Sequence, residues 1–373
     1  MSYMKLQQIQ QCLNSKFYDR EAEIEALMTA LLSRQHIVFI GPAGTGKSAL
    51  SSMLGKIVEG SQYFQHLLTP FSTPEELFGV LSLKDLEQGI YKRNIEGMLP
   101  EAHFAFIDEI FKANSAILNS LLTLINERIY YNNGVPVTSP LMTLVGSSNE
   151  YIEEEEGLEA LFDRFLLRYE VEYIREEDSF ISMLKDEREM TMPTLTLDEL
   201  NFHQNRVKSV FISDAIYQTL AKVRSKLRDE GIRPSDRRFK QSLSLLQAKA
   251  YLEGRFEVTR TDIALLKHAL WETIDQKEKT EEILHDICHD TVEAFIERIV
   301  PEFEDVIVNA RNAMIRRTPN SHATVSELLI QGKSLFLEVQ AMHRQAPNRE
   351  ELIQLKQDMH KRLLQITTDV IGF

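Results

Sequence analysis

Only two cysteines occur in the 373 residues, Cys12 and Cys288, far apart in the chain. They form no disulfide framework, and such usage fits a reducing, cytoplasmic setting. No run approaches the roughly 18 apolar residues of a membrane span. The amino terminus lacks the continuous apolar core of a signal peptide, and low-complexity tracts and short repeats are missing. Basic charge is also scarce: 42 Lys and Arg stand against 56 Asp and Glu, a net charge of −14. That balance disfavours a nucleic-acid binder, which wants a basic face. An N-K-x-D motif, which a guanine reader needs, is absent. What remains is 43% hydrophobic residues, ample for real cores, in a length that suggests two or three domains.

One motif stands out. GPAGTGKS, from Gly41 to Ser48, fits G-x-x-x-x-G-K-[ST], which arises by chance in such a chain about once in a hundred cases. IVFI before it is a short β-branched run that predicts a buried parallel strand. SALSSMLGKIV after it has helical spacing. A strand and a helix are the flanks this motif requires. Gly41, Gly44 and Gly46 allow backbone angles closed to other residues. Pro42, Ala43, Thr45 and Ala49 complete a cradle of inward N–H groups at a helix N-terminus. Lys47 reaches the β- and γ-phosphates, and the Ser48 hydroxyl can bind Mg²⁺.

Four further segments fit the same chemistry. FAFIDE predicts a strand ending in Asp108 and Glu109 at the carboxyl edge of a sheet, with Asp108 on Mg²⁺ and Glu109 polarising the attacking water. LMTLVGSSNE ends a strand at Asn149, whose neutral amide can hold that water. In EALFDRF, Arg164 has no evident anionic partner, and a neighbouring subunit's γ-phosphate is one use for it; Arg168 is the rival. In SDRRFKQ, Ser235 is a plausible N-cap. A cation in that first turn opposes the helix dipole, so Arg237, with Arg238 as rival, is expected to meet an anion, the γ-phosphate, and to link it to the helices that follow.

Strand and helix alternate from His36 to about Ile174, with IVFI, YFQHLLT, FAFIDE, LMTLVGSSN and LLRYEVEYI as five strands. This predicts an α/β fold with a doubly wound, mainly parallel sheet. Beyond Glu176 the pattern is helical. The expected division is a nucleotide-binding core over 1–176, a helical lid over 177–274 and a C-terminal helical bundle over 275–373.

With GPAGTGKS, FAFIDE, Asn149 and EALFDRF together, the chain resembles AAA+ ATPases, and among them the MoxR family with its RavA-type members. STPEELFG, EGMLPEA and FKANSAILNSLLTLINER carry the resemblance further. It covers roughly residues 5–275. RavA-type proteins carry a triple-helical region interrupted by a small β domain, for which this chain reads as too short and too helical. The resemblance implies an Mg-ATP-hydrolysing ring, usually hexameric, that remodels a protein client with a partner carrying a von Willebrand factor A domain (ViaA-like). It further implies substrate-facing loops at an insert around Leu81–Asn94 and a hairpin around Tyr130–Thr138, where YNNG is a turn signal. Tyr91, Tyr130 and Tyr131 either grip a client there or pack on neighbouring loops. The rival functions are a nucleic-acid-stimulated motor and a nucleotide-gated scaffold.

Two signals are discounted. HDICHD puts His285 and His289 at zinc-like helical spacing, but no third ligand is evident. The four glutamates at 153–156 read as a solvated loop.

Overall fold

The computed structural model describes residues 2–152, 157–188, 191–288, 291–316 and 321–371. The glutamates at 153–156 and His289 lie outside them. The chain forms two compact units, Met1–Asp286 and Ile287–Phe373. No helix of the described residues is long and apolar enough to cross a membrane.

The strands of the first unit are β1 (Ile37–Ile40), β2 (Val58–Glu59), β3 (Tyr63–Leu67), β4 (Phe104–Asp108), β5 (Ile129–Asn132), β6 (Val135–Thr138), β7 (Thr143–Ser148), β8 (Leu167–Glu170) and β9 (Leu195–Thr196). The five strands expected from the sequence are β1, β3, β4, β7 and β8. They form one parallel sheet in the order β3-β4-β7-β1-β8. All residues of β1 and β7 are buried, as befits strands covered on both faces. The chain leaves β1 toward β3 on one side and returns to β8 on the other. A sheet that reverses order there leaves a crevice at the carboxyl end of β1.

The helix Ser115–Glu127 starts on Asn114, whose side chain accepts from the amides of Ala116 and Ile117, both at 3.2 Å. Its Ile117, Leu121 and Leu124 pack with Val38, Ile40, Ala105, Ile107 and Leu144 from the sheet. The hairpin β5–β6 turns on Asn133 and Gly134, with φ of 53° and 75°, the pairing that two-residue loops prefer. Alternation then sends successive residues to opposite faces. Tyr131 is exposed, but Tyr130 is buried and stacks on Phe78 with centroids 5.4 Å apart. Tyr130 is therefore a packing residue and no exposed grip; Tyr91 is exposed.

In the second unit the helices Thr291–Arg316, Ser321–Gln345 and Glu350–Ile371 close on Ile299, Phe303, Ile307, Val339, Met359 and Ile366. Arg362 forks onto Glu304 at 2.5 and 2.7 Å.

His36, which is buried, and His268, which is partly buried, give the first unit a pH dependence. His36, just before β1, accepts from the Leu144 amide through Nδ1 at 2.9 Å. Its other nitrogen stands 3.2 Å from the Ile125 carbonyl. Burial, with Arg128 adding to it, holds His36 well below the usual histidine range. Burial pulls His268, stacked on Tyr169, down to about 4. The unfolded chain binds these protons more readily, so their stabilisation is complete above about pH 6.5 and is lost as pH falls below it. Acidification from about pH 7.5 to 5.5 is expected to cost about 1 kcal/mol per histidine, read as a falling urea midpoint. His268→Phe, which keeps a ring on Tyr169, removes its share of the slope.

Candidate nucleotide site

The loop Gly41–Gly46 joins β1 to the helix Lys47–Ile57. A Cβ on Gly41 would stand 2.1 Å from the Val171 carbonyl oxygen, so only glycine fits where the loop leaves the sheet. Gly44 and Gly46 take φ of 82° and 86°, the left-handed region glycine enters without cost. Among the described residues, the amides of residues 43–49 donate to no protein acceptor. That suits a loop built to hand its N–H groups to an anion.

Lys47 is buried, and its ammonium donates to the carbonyls of Gly41 at 2.6 Å and Pro42 at 2.8 Å. Burial lowers its proton affinity, while Asp108 and Glu109 raise it. The Asn149 Oδ1 accepts from Lys47 at 3.4 Å, and its Nδ2 donates to Glu109. The structure thus brings together Lys47, Asn149 and Glu109, which the sequence offered from three separate strand ends. Glu109 takes a left-handed φ of 52°, unusual for a residue with a Cβ. Its carboxylate is held by Asn149 and by Lys112 at 3.3 Å. Asp108 receives the Ser147 hydroxyl and the Glu109 amide, at 3.1 Å, on Oδ1 alone. Its Oδ2 has no protein donor among the described residues. A free carboxylate oxygen and the Ser48 hydroxyl are hard donors of the kind Mg²⁺ takes.

Three contributors carried no motif. Ser147 precedes Asn149 by two residues, so strand alternation puts both on one face; that period was the available signal. Arg20 is buried and donates to the Thr45 carbonyl twice, at 3.2 Å, and to the Glu172 carbonyl at 2.5 Å. It ties the loop to the segment after β8, and nothing in its surrounding sequence announces this. Beside Gly44–Gly46 lies a cavity of about 410 Å³ with Phe17, Tyr18, Tyr173, Ile174, Phe180 and Met183 on its wall. Those residues come from two stretches far apart in the chain, 17–18 and 173–183.

The arginines lie elsewhere. Arg168 is buried in β8, donating to the carbonyls of Trp271 and, at 3.1 Å, Phe162, with its guanidinium 3.8 Å above the Phe162 ring. Arg238 is likewise buried, bound to carbonyls of Ala269, Phe165 and Leu166. Burial pulls its guanidinium down to about 10. Neither guanidinium reaches the surface. Arg164 is half-buried and pairs with Asp163 at 2.9 Å, the anionic partner the sequence did not disclose. Arg237 is exposed, bonded to Asn126, and close enough to Arg164 for its charge to act on it.

Their position sets them apart from Lys47, Asn149 and Glu109. Asn126 follows Ile125, which contacts His36 at the start of β1; Arg164 ends the helix Glu159–Arg164, with Phe165 and Leu166 leading from it into β8. Both arginines therefore stand at the amino edge of the sheet. Lys47 stands at the carboxyl edge, at least the length of the four-residue β1 away, about 13 Å at 3.3 Å per residue. Arg237 bonds to Asn126 and, among the described residues, to none of Lys47, Asn149 and Glu109.

The fold and site define a P-loop protein of the AAA+ ATPase class, with helices after the sheet. A family model describing the MoxR domain of MoxR–vWA–β-propeller ternary systems matches residues 4–208, and an AAA lid domain model matches 215–284. The chain belongs to the MoxR family of AAA+ ATPases. One uncharacterized protein of Methanocaldococcus jannaschii is 38% identical over 312 residues, 83% of this chain and 80% of its own. A second from that organism is 41% identical over 273 residues, covering 73% and 72%. A crystal structure of a provisionally named ATPase from Cytophaga hutchinsonii superposes with a TM-score of 0.63 at 16% identity, over 77% of this chain and 94% of its own. At that identity the likeness is one of fold.

Arg20→Met should leave the Thr45 carbonyl without its donors and loosen the loop. Losing a hydrogen bond to a charged group is worth about 1.5–3 kcal/mol, so the Kd for a fluorescent ATP analogue should rise at least tenfold. An unchanged Kd in a titration would show that the tether does not shape the loop.

Proposed function

We propose that this protein hydrolyses Mg-ATP at a pocket shared between adjacent copies of a ring, hexameric as is usual in the family. The observation that carries the reading is the meeting of Lys47, Asn149 and Glu109 at one sheet edge while Arg164 and Arg237 stand at the other. One copy supplies half of what phosphoryl transfer uses; the next supplies the rest.

The amides of residues 43–49 and Lys47 hold the phosphates. Ser48 and Asp108 hold Mg²⁺, which offsets phosphate charge when bound. Glu109, fixed in reach of Asn149, takes the proton from the attacking water, and Asn149 aligns that water. Water adds to the γ-phosphorus as the bond to the β-phosphate oxygen breaks, so the products are ADP and inorganic phosphate. Arg164 and Arg237 from the adjoining copy stabilise the charge that builds in transfer. The aromatic-lined cavity beside Gly44–Gly46 takes the adenine base, since stacking on apolar walls suits a purine.

We assign the work done with this energy to remodelling a protein client in the cytoplasm, with a von Willebrand factor A domain protein as partner. The support is the family description, which pairs MoxR domains with vWA proteins. Residues 1–176 serve as core, 177–274 as lid and 275–373 as an appended helical platform.

Glu109→Gln should bind ATP and assemble yet release phosphate at least 100-fold more slowly, the scale of a lost general base. Wild-type release in a steady-state assay refutes the role. The shared pocket has its own test. Lys47→Ala keeps both arginines but no working cradle; Arg164→Ala with Arg237→Ala keeps the cradle but no arginines. Each should be inactive alone, and mixing them should restore part of the turnover. A mixture that stays silent, beside an arginine variant that turns over normally, refutes it.

A further inference from the structure

Arg164 and Arg237 are neighbours: Arg237 adjoins Arg238 in the chain, and Arg238 shares the Asp163 carboxylate with Arg164. The like charge of Arg237 acts on Arg164, so the pair separates in water unless something holds it. Each has a tether. The Asp163 carboxylate accepts from Arg164 through Oδ2 at 2.9 Å and from Arg238 through Oδ1 at 3.1 Å. Arg238 is 1% exposed, and it also donates to the carbonyls of Asp163 at 2.9 Å, Ala269, Phe165 at 2.8 Å and Leu166 at 3.0 Å. Arg164 therefore hangs from a guanidinium locked in the interior. Arg237 donates to the Asn126 side-chain oxygen. Asn126 lies in the last turn of the helix Ser115–Glu127, whose apolar stripe is packed on the sheet. Both tethers are thus mounted on parts of the fold that cannot readily move.

Resting on the shared-pocket reading above, we propose that Asn126 and Asp163 are positioning residues. They hold Arg237 and Arg164 side by side so that both cations meet one anion, the phosphate chain of a nucleotide in the adjoining copy. Neither touches that nucleotide. Each acts through its arginine, by sparing the side chain the ordering cost of finding its place at the moment of transfer. Asp163 has a second effect: it offsets charge in a cluster of three guanidinium groups, two of which must face outward.

The test is steady-state phosphate release by full-length Asn126→Ala across a range of ATP concentrations. The expected result is a kcat about tenfold lower, the scale of a modest misplacement, with KM within twofold, and with ring mass and thermal midpoint unchanged. Adding Asn126→Ala to Arg237→Ala should cause no further loss, because the tether then has nothing to hold. Asp163→Asn should behave in the same way toward Arg164→Ala. A wild-type kcat in Asn126→Ala, or a loss that adds in full to that of Arg237→Ala, overturns the positioning role alone. Wild-type turnover in Arg164→Ala and Arg237→Ala overturns the shared pocket, and the tethers with it.

Discussion

Lys47 binds two carbonyls of its own loop and, through Asn149, reaches Glu109, so a single polar junction joins the ends of β1, β7 and β4. The junction exists because the three strands are adjacent and parallel. Parallel pairing puts all three carboxyl ends at one edge. The strand order puts β7 between β1 and β4, so that Asn149 stands between the lysine and the carboxylate. Much of the rest serves to keep that junction in place. Arg20 braces the loop from outside, Ser147 holds Asp108 from beneath, and the buried residues of β1 and β7 leave the strands no room to slip.

The same sheet imposes a separation. Strand β1 has a fixed rise, so groups at its two ends stay a strand's length apart. Arg164 and Arg237 sit at the amino end because one precedes β8 and the other begins a helix packed against that entry. Two further arginines, Arg168 and Arg238, are spent in the interior, where desolvation disfavours their charge. Backbone carbonyls and the Phe162 and Trp271 rings repay part of that cost. These buried cations cross-link the segment before β8 to the helices after the sheet. The division of four arginines into two buried and two outward-facing leaves a pair of cations at the amino edge.

Membership of the MoxR family agrees with this arrangement without having produced it. The relatives share 38% and 41% identity over most of the chain, while the solved structure shares the fold at 16%. The three-helix second unit has its own core around Phe303 and Val339.

Much of this was legible from residue order alone. Short apolar runs ending in Gly41, Asp108 and Asn149 located three strands and their carboxyl ends, because period and punctuation are local properties of a chain. The hairpin turn at Asn133–Gly134 was equally local. What residue order could not supply was any relation between distant segments. It did not disclose that Asp163 neutralises Arg164, that Arg20 grips the phosphate loop, or that Tyr130 turns inward onto Phe78. Nor could it assign Arg237 to the amino edge, since a helix start reads the same whichever face of a sheet it meets. The cradle was determined by contiguous sequence, because consecutive amides and one lysine suffice to build it. The surroundings of each charge were decided by packing, because burial and through-space pairing arise only once the strands have taken their order.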